Sequence, residues 1–158
     1  MILQGKPMEP GSGHREGRQL LAQMYLQAVG EPMPEILVTD RGKPYFANSP
    51  WHFSISHSKN HVFCALSDRP VGLDAEELDR KVDLRLAHRV LSESEKVRYE
   101  ASDDKKAALL RLWVLKEAAA KLTGEGLKGF PNHTDFDPAD PRIMEMNGCY
   151  VAIIENAE

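Results

Sequence analysis

Apolar residues recur along this chain at two periods, and the switches between them mark out its elements. Leu20, Leu21, Met24 and Ala28 are spaced to share one face of a helix over residues 15–29, with Gly30 positioned as its C-cap. The next segments read as extended. Strands are predicted near residues 35–39, 51–56, 61–67 and 71–76; alternation through Phe53 and Ile55 carries the second, and the run Val62-Phe63-Cys64-Ala65-Leu66 carries the third. Helical spacing then returns. Ser92 and Glu95 match a capping box that opens a helix through about residue 101, and Leu109, Leu112, Trp113 and Lys116 lie along a longer one over residues 104–123, closed by Gly124 and Gly126. Two short strands near 142–146 and 149–155 meet at Asn147-Gly148, a hairpin signal, after a polar loop over 135–141. At the start, Gly5, Pro7, Pro10, Gly11 and Gly13 are dense enough breakers to predict that residues 1–13 form a mobile arm. The pattern is that of an α+β chain, with small antiparallel sheets packed on helices.

Onto these elements fall three polar clusters. Asp74 and Glu76 stand two apart in Val71-Gly72-Leu73-Asp74-Ala75-Glu76, so on a strand both carboxylates leave the same face. A pair held that way repels itself unless it is solvated or neutralised by a hard cation such as Mg²⁺, which takes one or two carboxylates and completes its shell with water and phosphate oxygens. In Trp113-Val114-Leu115-Lys116-Glu117-Ala118-Ala119-Ala120-Lys121, Glu117 and Lys121 share a helix face with Trp113, and Lys116 lies about a quarter turn aside. Glu117 is thus a third candidate metal ligand, and Lys116 and Lys121 are candidates to meet phosphates. The third cluster, Ser56-His57-Ser58, ends a strand and offers hydroxyl and imidazole donors to an anion. Upstream, Gly42-Lys43-Pro44 is a turn carrying one more cation.

Each cluster also has an ordinary reading. An Asp-x-Glu pair at a strand end is commonly a solvated edge, Ser-His-Ser is commonly a turn, and a Glu-to-Lys pair four apart is a surface pair worth about 0.2–0.5 kcal/mol. Their combination points to a phosphate-rich ligand.

The ordered set Gly42-Lys43-Pro44, Phe53-Ser54-Ile55-Ser56-His57-Ser58, Val71-Gly72-Leu73-Asp74-Ala75-Glu76, Trp113 to Lys121 and Gly124-Glu125-Gly126-Leu127 resembles the phosphopantetheinyl transferase superfamily. Members of that superfamily move the phosphopantetheine arm of coenzyme A onto a serine of an acyl or peptidyl carrier protein. The resemblance runs from about Lys43 to Leu127. It implies that Asp74, Glu76 and Glu117 hold Mg²⁺, with Mn²⁺ as a substitute, against the coenzyme A pyrophosphate. It also implies that Lys121 meets a phosphate of the same group and that Lys43, Ser56 and His57 contact the coenzyme, His57 at its 3′-phosphate. Arg15 or Arg18 matches a basic residue that grips the adenosine end, and Glu117 or a metal-bound water takes the serine proton. One position departs from the family's usual pattern, which has Asn where Ser54 stands.

The order of the motifs, with Ser56-His57 ahead of Asp74, resembles the larger, pseudo-dimeric, surfactin-synthetase-activating type, in which two repeats face each other across the site. That implies one compact unit, with a shortened repeat over about 1–69 and a fuller one over about 70–158, working as a monomer. The remaining observations narrow the class. A chain of 158 residues, 42% hydrophobic, is long enough to bury a core, and its net charge of −4 argues against nucleic acid. No apolar run approaches about 18 residues and Met1-Ile2-Leu3-Gln4 lacks an extended apolar leader, so neither a membrane span nor secretion is expected and the compartment reads as cytoplasmic. Cys64 and Cys149 sit inside apolar strands without CxxC spacing, which predicts reduced core thiols and no zinc site. Three rival readings stay open: a non-catalytic coenzyme A-binding relative, a Mg²⁺-dependent phosphoester hydrolase, and an interaction protein with charged surfaces.

Overall fold

The computed structural model describes residues 1–124 and 134–156. Glu125, Gly126 and Leu127 of the predicted Gly-rich motif lie outside them. The described elements are β1 (Ile2–Pro7), α1 (Gly13–Val29), β2 (Ile36–Val38), β3 (Pro44–Phe46), β4 (His52–His57), β5 (His61–Ser67) and β6 (Val71–Glu77). After a 3-10 turn at Leu84–Leu86 follow α2 (Ala87–Val90), α3 (Glu93–Glu100), α4 (Lys105–Thr123), β7 (Ile143–Met146) and β8 (Cys149–Glu155). The chain is α+β, and every sheet is antiparallel: β1-β5-β4, β2-β3 and β6-β8-β7.

Side-chain alternation stacks these elements in layers. In β5, Val62, Cys64 and Leu66 pack with Leu20, Leu21, Met24 and Tyr25 of α1, while Phe63 and Ala65 on the opposite face pack with Leu73, Ala75, Cys149 and Val151 of the second large sheet. The outer face of that sheet, with Tyr150, Ala152 and Ile154, packs on Leu110, Val114, Leu115 and Ala118 of α4. Two helices therefore sandwich two face-packed sheets. The closest approach is at Gly72, where a Cβ would sit 1.9 Å from the Ala118 carbonyl oxygen, so β6 and α4 nearly touch backbone to backbone.

The two sheets also meet along one edge. β4 and β6 are both edge strands, and no backbone ladder joins them. Instead Ser54 Oγ accepts the Leu73 N–H at 3.0 Å and Ser56 Oγ accepts the Ala75 N–H at 3.1 Å. Serines on one face of β4 recur at the two-residue period of free N–H groups on β6, so each hydroxyl satisfies one buried donor. This gives Ser54 a bonded place.

Most predicted boundaries hold within a residue or two, and the capping box is complete, with the Ser92 side chain and Glu95 bonding each other's backbone N–H. Gly30 and Gly124 end their helices at φ of 82° and 76°. Two readings need correction. Residues 2–7 are not part of a mobile arm but a strand paired to β5 from Ile2↔Leu66 to Pro7↔His61. Gly5 belongs there because a Cβ would lie 2.4 Å from the Phe63 ring, so the glycine marks close packing and not looseness. Ala28 is exposed, and Tyr25 takes the fourth place on the buried face of α1. Both cysteines are buried free thiols as expected, and burial pushes Cys64 up to about 12 and Cys149 up to about 11.

Candidate functional site

The site grows out of the β6–α4 contact. Gly72, Asp74 and Glu76 share the face of β6 that looks toward α4, and the bare Gly72 lets the helix close in until Glu117 and Lys121 reach the two carboxylates. The same-face geometry predicted for Asp74 and Glu76 is thereby present. Asp74 is 7% exposed, and its Oδ1 accepts from Ser56 Oγ and from Lys121 Nζ, each at 3.1 Å. Its Oδ2 is buried with no hydrogen-bond partner among the described residues. Lys121 Nζ also reaches the Ile55 carbonyl at 3.4 Å, spanning from β4 to β6.

Charge at the site is unbalanced toward the negative. Burial pushes the Asp74 carboxyl up; Lys121 and Ser56 pull it back only in part, and Glu76 adds to the rise. Burial raises Glu117 as well, with Asp74 and Glu76 adding to it against Lys121 and Arg80. Three carboxylates gathered in one groove, two of them pushed up and one of those with an orphaned buried oxygen, fit a hard divalent cation: the ion would satisfy Oδ2 and offset the negative charge.

Around this centre runs a continuous groove. One stretch, of about 330 Å³, is lined by Ser56, His57, Asp74, Glu76, Glu117 and Lys121. Through Ile55, Glu117 and Lys121 it joins a second, of about 290 Å³, between Arg41, Lys43, Pro44, Phe53 and Gly124. The Gly42-Lys43-Pro44 turn between β2 and β3, with Gly42 at φ 90°, sets Lys43 beside the end of α4. There its ammonium donates to the Leu122 carbonyl, and burial lowers its pKa. His57 ends β4 at the N-terminus of α1, where a Cβ on Gly13 would lie 2.4 Å from the ring. Lys43, Ser56, His57, Asp74, Glu76, Glu117 and Lys121 thus line one groove.

Other candidates stand elsewhere. Lys116, expected at phosphates, is 1% exposed and turned toward α3, where its Nζ meets Glu95 Oε1 at 2.7 Å and Thr134 Oγ1. It is rotated about 140° around α4 from Lys121, which is enough to point it into the core between α4 and α3. Arg15, 69% exposed on α1 beside Glu16, and Arg18 are not among the groove-lining residues. Sequence reasoning missed two groove residues. Arg80, in the turn after β6, pairs with Glu76 and lines the groove; nothing in a turn sequence announces that. Arg41 adjoins the Gly-Lys-Pro turn, and that adjacency was the available signal.

No helix among the described residues is long and apolar enough to cross a membrane. The chain is also similar to known proteins. The family model described as the 4'-phosphopantetheinyl transferase superfamily matches residues 70–149, which carry β6, α4 and the carboxylates. The chain is 32% identical over 115 residues to 4'-phosphopantetheinyl transferase gsp of Aneurinibacillus migulanus, covering 70% of this chain and 48% of the relative. With 4'-phosphopantetheinyl transferase AcpT of Escherichia coli strain K12 the identity is 34% over 133 residues, covering 77% of this chain and 68% of the relative. With 4'-phosphopantetheinyl transferase Sfp of Bacillus subtilis strain 168 it is 35% over 89 residues, 54% of this chain and 39% of the relative. The chain spans about half the length of the first of these, at 48%. The matched segment and the AcpT alignment assign the chain to the 4'-phosphopantetheinyl transferase superfamily.

Proposed function

We propose that this chain transfers the 4'-phosphopantetheine group of coenzyme A to a serine hydroxyl of an apo acyl or peptidyl carrier protein, with Mg²⁺ held by Asp74, Glu76 and Glu117. The observation that carries the reading is the buried Asp74 carboxylate, whose Oδ2 lacks a partner among the described residues, in a groove that also holds Lys121 and His57. In the reaction the serine oxygen forms a bond to the β-phosphorus of coenzyme A, the bond from that phosphorus to the bridging oxygen breaks, and 3′,5′-ADP leaves. Bound Mg²⁺ would supply neutralisation of the pyrophosphate charge. Lys121, fixed between Asp74 and the Ile55 carbonyl, holds a phosphate in line, and His57 at the groove rim takes the 3′-phosphate. Glu117, or a water on the bound ion beside it, would accept the serine proton; Glu117 lines the groove with Asp74, Glu76 and Lys121. The two large sheets correspond, in this reading, to the two repeats of a monomer, with the groove between them.

The test is intact-mass spectrometry of apo carrier proteins after incubation with coenzyme A and Mg²⁺. One added phosphopantetheine is expected with the wild-type chain and none with Asp74→Ala or Glu117→Ala, both still folded by circular dichroism. Transfer at the wild-type rate in either variant would remove that carboxylate from the site, and coenzyme A binding without transfer to any carrier would make the chain a binding relative.

A further inference from the structure

Three polar side chains that the proposed reaction does not use converge on the opposite face of β6 from the carboxylate centre. His61 stands at the start of β5, Glu77 at the end of β6 and Cys149 at the start of β8, directly opposite Glu77 in the sheet register. His61 Nδ1 lies 3.2 Å from Glu77 Oε1 and 3.8 Å from Cys149 Sγ, and Sγ lies 3.6 Å from Glu77 Oε2. A tetrahedral zinc ion with Zn–N and Zn–O near 2.0–2.2 Å and Zn–S near 2.3 Å needs its ligand atoms about 3.3–3.6 Å apart. One ligand atom from each residue lies within 4.8 Å of the other two, and Sγ–Oε2 at 3.6 Å and Nδ1–Sγ at 3.8 Å are already close to that range before any ion is added. We propose that His61, Glu77 and Cys149 form a zinc site separate from the Mg²⁺ centre.

The bonds around the cluster support this ligand set. Glu77 Oε1 already receives Ser58 Oγ at 2.7 Å and the Asn60 N–H at 3.2 Å, donors that fix the carboxylate's orientation as outer-shell partners do. Among the described residues Oε2 has the weak thiol as its one donor, so it is the oxygen with a vacant lone pair for a cation. Imidazole and thiolate with one carboxylate suit Zn²⁺ and discriminate against Mg²⁺ and Ca²⁺, which prefer oxygen alone. The cluster is partly sheltered, with side-chain exposures of 20% for His61 and 15% for Glu77, and a surface depression lined by Ser58, Asn60, Glu77 and Lys81 gives an ion a route in. The fourth position falls to water.

CxxC spacing does not find such a site, because each ligand comes from a different strand and the register alone brings them together. What the ion would do follows from where the strands belong. His61 is on the first large sheet and Glu77 and Cys149 are on the second, so the metal cross-links the two sheets where the row Ser54, Ser56, Ser58 ends.

The experiment is equilibrium dialysis of the purified chain against micromolar Zn²⁺ with millimolar Mg²⁺, followed by metal analysis, with Co²⁺ as spectroscopic probe. One zinc per chain is expected, together with a thiolate-to-cobalt charge-transfer band and a rise in Tm that a chelator reverses. Cys149→Ser and His61→Ala should each weaken zinc binding at least about tenfold, the lower end for disturbing a metal shell. Cys64→Ser and Asp74→Ala should retain it. If Cys149→Ser fails to fold, the cobalt spectrum of the wild-type chain decides by itself. No retained zinc, equal retention by Cys149→Ser, or a cobalt complex without the thiolate band would each overturn the site; none of these outcomes touches the phosphopantetheinyl transfer reading.

Discussion

Lys116 and Lys121 lie little more than one turn apart on α4 and meet opposite fates. Lys121 faces β6 and pairs with Asp74 while a third of its side chain remains exposed, at 34%. Lys116 faces α3 and is sealed against Glu95 at 2.7 Å. Burial pushes the Glu95 carboxyl up, but Lys116, the Ser92 N–H, the Thr134 hydroxyl and the Phe136 N–H outweigh it and bring the group below the usual range. Glu95 is therefore ionised in the fold and contributes stability that is complete above its ordinary value, about 4.3, and is lost as pH falls through its lower folded value. Lys116→Ala, which strands that carboxylate, should cost about 3–5 kcal/mol. The double change Lys116→Met with Glu95→Leu removes both charges but strands the Ser92 and Phe136 N–H donors, so it should still cost about 1–3 kcal/mol per stranded donor at pH 7, and its stability relative to wild type should improve as pH drops below about 4. Urea unfolding at several pH values reads this directly; a stability gap that does not vary with pH would mean Glu95 is not the ionised partner. The sequence placed Lys116 on α4 and Glu95 in a capping box but held no sign that the two pair, because pairing across 21 positions is a tertiary fact.

Among elements, the legible ones are those whose own residues determine them. β5 fills its predicted span because an unbroken apolar run buried on both faces has one reading, and α3 opens where Ser92 and Glu95 close a local loop of bonds. β1, β3 and α2 escaped. β1 contains Gly5 and ends at Pro7, and β3 begins with Pro44; both residues signal breaks unless a neighbouring strand is known to need them. α2 has four residues, too few to show a period. The carboxylate face of β6 was legible because alternation, like an unbroken apolar run, is a local property. The reason for Gly72 was not. Because its Cβ would fall 1.9 Å from the Ala118 carbonyl oxygen and 2.7 Å from the Leu122 backbone nitrogen, Gly72→Ala must push α4 away from β6. Overpacking of this kind costs about 1–3 kcal/mol, and contact with backbone on both counts puts it at the upper end. The helix that moves carries Glu117 and Lys121, so Mg²⁺ stabilisation of the fold should weaken with it. Chemical denaturation with and without Mg²⁺ measures both; an unchanged midpoint and an unchanged Mg²⁺ increment would show that the β6–α4 approach is not what positions those side chains.

At the scale of the molecule, the groove draws its lining from both large sheets and from α4. His57 comes from β4; Asp74 and Glu76 come from β6; Glu117 and Lys121 come from α4. Since the sheets are joined at that edge by serine hydroxyls and not by a backbone ladder, a ligand filling the groove adds ties exactly where the fold has fewest of its own. Coenzyme A together with Mg²⁺ should therefore stabilise the chain as a unit, through a single unfolding transition. At a ligand concentration of 100 times Kd the gain is about 2.7 kcal/mol, and at about 2–4 °C per kcal/mol for a domain of this size Tm should rise by roughly 5–11 °C. The components should contribute separately. Asp74→Ala should remove the Mg²⁺ part. His57→Ala should weaken coenzyme A by about 1.5–3 kcal/mol, the range for a hydrogen bond to a charged group, and should bring coenzyme A and its 3′-dephospho form closer in affinity. Scanning calorimetry supplies the transitions, and sedimentation equilibrium on the same samples supplies the mass, expected to be that of one chain with or without ligand. Two separated transitions, of which coenzyme A moves only one, would place the ligand on one sheet alone; a trimer would show that the groove is completed by another copy and would end the monomeric reading.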